Sequence, residues 1–232
     1  MFFFDVRYLI FMLPAMVLMA AVQWYVSSAY KKWSQKPVRS GLSGAQAAQR
    51  LISRGGLYDV KIQGIQGKLT DHYDPRNKVL ALSPGVYQGS SVASLAIAAH
   101  ELGHAMQDKD GYSLLRLRAA LIPAVNIGSF LGWILIFLGM LLRFTELAWL
   151  GVIVFSGGAL FALATIPVEL NASARARRLL TDTGIIMGEE EHHGVNKVLN
   201  AAALTYVAAL ATAVLQLLYF ASMVFGMGGR RR

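Results

Sequence analysis

His100, Glu101 and His104 are the residues whose types and spacing could do chemistry together. They lie in Ala98-Ala99-His100-Glu101-Leu102-Gly103-His104-Ala105-Met106. In an α-helix residues i and i+4 share a face, so both imidazoles can offer nitrogens to one metal ion. Glu101 sits about a quarter turn away and can reach a water on that metal without binding it. Neutral imidazole suits zinc, and a fourth position left open leaves room for water. The competing reading is a helix with two solvated or otherwise satisfied histidines. The preceding Ser90-Ser91-Val92-Ala93-Ser94-Leu95-Ala96-Ile97-Ala98-Ala99 favours zinc: it is uncharged, proline-free and opens on serines suited to an N-cap. On such an apolar helix, two histidines and a glutamate are costly to bury without partners. Gly103 costs about 1 kcal/mol against alanine in a helix interior, so something must need a bare backbone there.

The elements that position these residues include membrane spans. Of the 232 residues 55% are hydrophobic, too many for an ordinary soluble domain. Mean hydropathy, +0.47, agrees. Tyr8 to Val26 is an apolar run of spanning length (span 1, 8–26). A cleavable signal peptide is the rival, because Ser27-Ser28-Ala29 resembles a cleavage site. Lys31, Lys32, Lys36 and Arg39 follow at once and oppose export, so an uncleaved anchor is the expectation. Leu121 to Leu142 (121–142) and Leu147 to Val168 (147–168) are the second and third spans, joined by Arg143-Phe144-Thr145-Glu146 in a tight hairpin; Ala201 to Met227 (201–227) is the fourth.

Residues 28–120 form the main polar segment. Pro37 to Gly44 reads as a linker. Ala47, Ala48, Leu51 and Ile52 recur at helical spacing from Ser43 until Gly55-Gly56 stops the helix. Tyr58 to Gln63 alternates as a strand, Asp71 to Asn77 reads as a turn, and Lys78 to Ser83 as a second strand. That second strand, just upstream of the histidine helix, reads either as an edge on which an extended peptide could pair or as a plain structural edge. A second polar segment, 169–200, carries a loop-like acidic run Glu189-Glu190-Glu191 and a loop pair His192-His193, which is left outside the site.

The 22 Lys and Arg exceed the 13 Asp and Glu, and their placement tests the topology. Four spans put 28–120 and 169–200 on one side. That side carries Lys31, Lys32, Lys36, Arg39, Arg116, Arg118, Arg175, Arg177, Arg178 and Lys197 near the membrane, against Arg7, Arg143 and the terminal triplet Arg230-Arg231-Arg232 on the other. Positive residues favour the cytoplasm, so the catalytic side is expected there, with the triplet running mildly against it. The basic excess thus has a membrane explanation, and nucleic acid is not implied. With no cysteine, any zinc site must use histidine and carboxylate.

The third ligand follows from this topology. Glu169, in Ile166-Pro167-Val168-Glu169-Leu170-Asn171-Ala172-Ser173, ends the third span, where a carboxylate is costly unless wet, paired or bound to metal. The hairpin returns it to the side that holds His100 and His104, and it would complete a His₂Glu set. Glu146 lies on the wrong side and Glu189 to Glu191 in the acidic run. The plain alternative for Glu169 is a solvated carboxylate at a helix start. Ser173, one turn on, reads equally as a hydrogen-bonding support for a ligand or as an ordinary helix serine.

Leu69-Thr70-Asp71-His72-Tyr73-Asp74-Pro75 through His100-Glu101-Leu102-Gly103-His104-Ala105-Met106-Gln107, Pro167 to Ser173, and Leu199 to Ala209 together resemble the YugP-type bacterial membrane zinc metallopeptidases. The resemblance implies a neutral zinc metallopeptidase embedded in the plasma membrane. It extends to the wider glutamate-zincins, in which an Asp one turn after the third ligand often orients a histidine; Ser173 stands there in this chain. The expected fold is a mainly α membrane protein, with four transmembrane helices and a small α+β zincin-like domain between spans 1 and 2.

In the expected mechanism His100, His104 and Glu169 hold Zn²⁺, and Glu101 is the general base for water attacking a peptide carbonyl. A second donor to the oxyanion is usual. His72, Tyr73, Arg175 and Tyr206 are candidates, each with a stronger plain reading as a turn residue, a lipid-facing arginine or a packing tyrosine. Because the histidine helix is not itself a span, the expected partners are the lipid bilayer and membrane-protein or membrane-proximal peptide substrates. The oligomeric state is open. The alternative is a zinc-stabilised scaffold or regulatory subunit that does not cut. A transporter component ranks last, since the spans hold no interior carboxylates of the ion-relaying kind.

Overall fold

The computed structural model describes residues 6–228, so the arginine triplet 230–232 lies outside the described residues. In chain order the elements are α1 (Val6–Ser34), α2 (Gly44–Gly55), β1 (Lys61–Gly64), β2 (His72–Asp74), β3 (Val79–Leu82), α3 (Pro84–Tyr87), α4 (Val92–Lys109), α5 (Ser113–Leu141), α6 (Thr145–Phe155), α7 (Gly157–Asp182) and α8 (Gly188–Gly228). Among the described residues four helices are long and apolar enough to cross a membrane: α1, α5, α6 with α7, and α8. The chain divides into a polar unit, residues 24–116 and 167–204, and a spanning unit, residues 6–23, 117–166 and 205–228.

The polar unit is built by local chemistry that agrees with its core. Ser43 caps α2 in a reciprocal box with Gln46, and Gly56, at φ +62°, ends the helix in the left-handed region that favours glycine. The buried stripe of α2 is Ala47, Ala48, Leu51 and Ile52. It meets Leu80 and Leu82 of β3, Leu95, Ala99 and Leu102 of α4, and Leu180, Val195 and Leu199 of α7 and α8 in one core. Each fully buried leucine contributes roughly 1.5–3 kcal/mol of transfer free energy. Ser91 caps α4 through the Ser94 amide. The stretch after α1 is pinned rather than loose: Val38 donates to the Ser90 carbonyl at 3.1 Å and Val92 to the Lys36 carbonyl at 3.0 Å.

Three expectations change here. The segment expected as a turn, Asp71 to Asn77, contains strand β2, which pairs antiparallel with β3 in the register His72↔Ala81, Tyr73↔Leu80. Only its second half turns, with the Asp74 side chain accepting from the Arg76 amide at 2.9 Å and from the Asn77 side chain at 2.7 Å. The sheet order is β1-β3-β2, so β3 is central and is not an edge of either kind expected for it. The acidic run and His192-His193 are not a loop: Glu189 to Glu191 form the first turn of α8, where negative charge is favourable. Glu191 is buried, accepting from the Met187 amide at 2.6 Å and the Arg39 amide at 2.8 Å.

The spanning unit packs by a different rule. Arg143, at φ +53°, turns α5 back into α6. A Cβ on Gly151 would come within 2.5 Å of the Ile136 backbone nitrogen, and one on Gly139 within 2.4 Å of that of Ala148. Small residues thus let the two helices touch backbone to backbone, as lipid-embedded helices commonly do. The third span is interrupted at Ser156, between α6 and α7, where its hydroxyl donates to the Ile153 carbonyl at 2.7 Å beside Gly157-Gly158.

Candidate metal centre

His100 and His104 project from one face of α4, their ring centroids 5.0 Å apart. Glu169 projects from α7. Its Oε2 lies 3.2 Å from Nε2 of His100 and 3.5 Å from Nε2 of His104. One ligand atom from each of the three lies within 4.8 Å of the others, so the group could hold a metal ion. In a tetrahedral zinc site, ligand atoms about 2.0–2.1 Å from the metal stand about 3.3 Å from each other, which matches the two carboxylate separations.

A bare backbone at Gly103 brings α4 and α7 this close. A Cβ there would sit 2.3 Å from the Ala172 carbonyl oxygen, on the helix that carries Glu169. The Glu169 residue is buried, 2% exposed, and a buried carboxylate is tolerated only with strong partners.

The outer nitrogens of both rings are occupied. Nδ1 of His100 lies 3.2 Å from Ser173 Oγ, and Nδ1 of His104 lies 2.9 Å from Gln107 Oε1. An amide oxygen only accepts, so His104 carries its hydrogen on Nδ1. As a metal ligand, a neutral His104 would turn its Nε2 lone pair toward the point it shares with the Glu169 carboxylate. The donor set and its spacing therefore fit zinc.

Glu101 lies on the same helix, partly exposed, and no hydrogen bond within the described residues engages its carboxylate. Burial pushes that carboxyl above its ordinary value, against the opposing pull of His100 and His104. Desolvation and the two imidazoles thus pull the proton affinity of this carboxyl in opposite directions.

Of the other candidates, Ser173 touches His100, as above. His72 is an exposed residue of β2 with Nδ1 2.9 Å from the Thr70 carbonyl oxygen. The Tyr73 hydroxyl donates to Asp108 at 2.8 Å, and burial, with that carboxylate, pushes its pKa up. Arg175 donates to Asn171 at 2.8 Å and pairs with Asp110 at 2.5 Å. Tyr206 belongs to the spanning unit. Gln107 is the contact that motif reading passes over. Its signal was present, because a residue three after His104 shares the face of that histidine.

A family model described as "Putative neutral zinc metallopeptidase" matches residues 8–225. The chain belongs to this family. It is 45% identical over 208 residues to the "Putative membrane protease YugP" of Bacillus subtilis (strain 168), covering 90% of this chain and 91% of that relative. No solved structure matches it. The zinc-metallopeptidase family and the four apolar helices agree with the motifs from which the resemblance was read.

Proposed function

We propose that the chain is a membrane-embedded zinc metalloendopeptidase that hydrolyses peptide bonds of membrane or membrane-proximal proteins. The observation that carries this reading is the convergence of two imidazoles and a buried carboxylate on one point, with Glu101 beside them. His100, His104 and Glu169 would hold Zn²⁺. Bound there, the metal supplies Lewis-acid polarisation of water and of the scissile carbonyl. Glu101 accepts the proton from the attacking water on a carboxylate oxygen and delivers it to the leaving amine nitrogen. Ser173 holds the His100 ring through Nδ1. The substrate class is inferred from the four apolar helices of the chain and from its relative's printed description as a membrane protease.

The test compares wild type with Glu101→Gln, full length in lipid. Zinc content should be equal, and cleavage of a membrane-protein panel should fall by about 10²–10⁴-fold in the variant. Equal zinc with no cleavage by either would favour a non-cutting scaffold.

The polar unit is assigned to the cytoplasmic side of the inner membrane on the distribution of Lys and Arg. The chain has no cysteine, so a single one introduced at the exposed Tyr58 reports sidedness. Labelling of Tyr58→Cys in intact cells by an impermeant thiol reagent would reverse the assignment; labelling only after lysis agrees with it.

A further inference from the structure

We infer that Gln107 is a positioning residue for the metal centre: its buried amide fixes the tautomer and rotation of His104 and ties that ring to the helix carrying Glu169. The inference rests on the reading of His100, His104 and Glu169 as metal ligands.

Gln107 is 0% exposed, and both ends of its amide are used. Its Nε2 donates to the Val168 carbonyl at 2.8 Å and to Asn171 Oδ1 at 3.0 Å. Its Oε1 lies 2.9 Å from His104 Nδ1. The direction of this amide is determined by its surroundings. A backbone carbonyl only accepts, and Asn171 Oδ1 already accepts from Arg175 Nε at 2.8 Å, so nitrogen must face both. The oxygen is left for the imidazole, Nδ1 must carry a hydrogen, and a neutral ring then keeps Nε2 for a metal ion shared with Glu169.

Val168 is the residue before Glu169, so one side chain grips both the ring on α4 and the backbone of α7 beside the carboxylate. Behind it Arg175 reaches Asp110 at 2.5 Å. The series Asp110, Arg175, Asn171, Gln107, His104 runs from a half-exposed carboxylate to a partly buried imidazole. A partner of this kind holds the ring without adding a further negative charge beside Glu169 and Glu101.

The test uses full-length protein in lipid nanodiscs, with zinc affinity read by chelator competition, the absorption spectrum of the Co²⁺ form, and the thermal midpoint of zinc-free protein. Gln107→Met keeps the volume and loses the amide. Gln107→Glu keeps an oxygen that accepts from Nδ1. We expect Gln107→Met to bind zinc about 10–100-fold more weakly with an altered Co²⁺ spectrum, and Gln107→Glu to recover most of that affinity although the zinc-free midpoints of both shift alike.

Zinc affinity of Gln107→Met equal to wild type overturns the inference. So do equal losses in both variants that track the zinc-free midpoint, the mark of a purely structural bridge. If Gln107→Met does not fold, Asn171→Leu loosens the same amide from behind: a changed Co²⁺ spectrum supports the role, and an unchanged one overturns it. Wild type that holds no zinc, or holds it undiminished in His104→Ala, would overturn the ligand reading and this inference with it. Wild type that loses zinc in His104→Ala but not in Gln107→Met overturns this inference alone.

Discussion

The polar unit and the spanning unit both bring helices into backbone contact at a glycine, and they do so for different ends. In the polar unit Gly103 lets α4 meet Ala172 on α7, and the residues around that contact are buried polar groups with assigned partners: Glu169, Gln107, Ser173. In the spanning unit Gly151 and Gly139 let α5 meet α6, and the neighbours are Ile136, Ala148 and Val152. The first unit hides its large apolar side chains, as Leu102 and Leu180 at 0% exposure. The second displays them, as Phe130 at 72% and Ile127 at 68%. One is ordered by water, which drives apolar groups together. In lipid that drive is absent, and close packing of small residues takes its place.

The two units should respond most differently to substitution at these glycines. Gly103→Leu should push α7 away from α4, with loss of zinc and destabilisation of about 1–3 kcal/mol. Gly151→Leu should lower thermal stability by a similar amount while leaving zinc content untouched. Zinc content and melting of the two variants, measured side by side in lipid, check this; a Gly103→Leu protein with full zinc would remove the distinction. At the small end, Phe130→Ala should move the melting midpoint little, within about ±0.5 kcal/mol, because no core is emptied. A loss of several kcal/mol would mean that this exposed face is covered by something other than lipid.

The same division explains what was legible beforehand. His100, Glu101 and His104 stand out because their spacing is the helical period itself. Ser43 and Gly55-Gly56 bracket α2 because caps are local chemistry. Glu169 could be proposed only through topology, since nothing adjacent in sequence links it to α4. Strand β2 was hidden, because His72-Tyr73-Asp74 is too short to show a period, runs into the turn residues Asp74-Pro75, and acquires its structure from pairing with β3. The central place of β3 was hidden for the same reason. The start of α8 was hidden because a run of three glutamates looks loop-like until Glu191 is seen folding back on the Met187 amide. Gln107 was passed over because a glutamine late in a helix is usually a solvated face, and its burial depends on α7, which arrives from far along the chain.

The central claim is that His100, His104 and Glu169 hold one zinc ion. Zinc K-edge absorption fine structure of the full-length protein in lipid, beside His104→Ala, tests it most directly. The expected result is one zinc per chain with two imidazole nitrogens at about 2.0–2.1 Å and oxygen at about 2.0–2.2 Å, and loss of an imidazole or of the metal in the variant. A wild-type spectrum without imidazole scattering, or one that His104→Ala leaves unchanged, would contradict it.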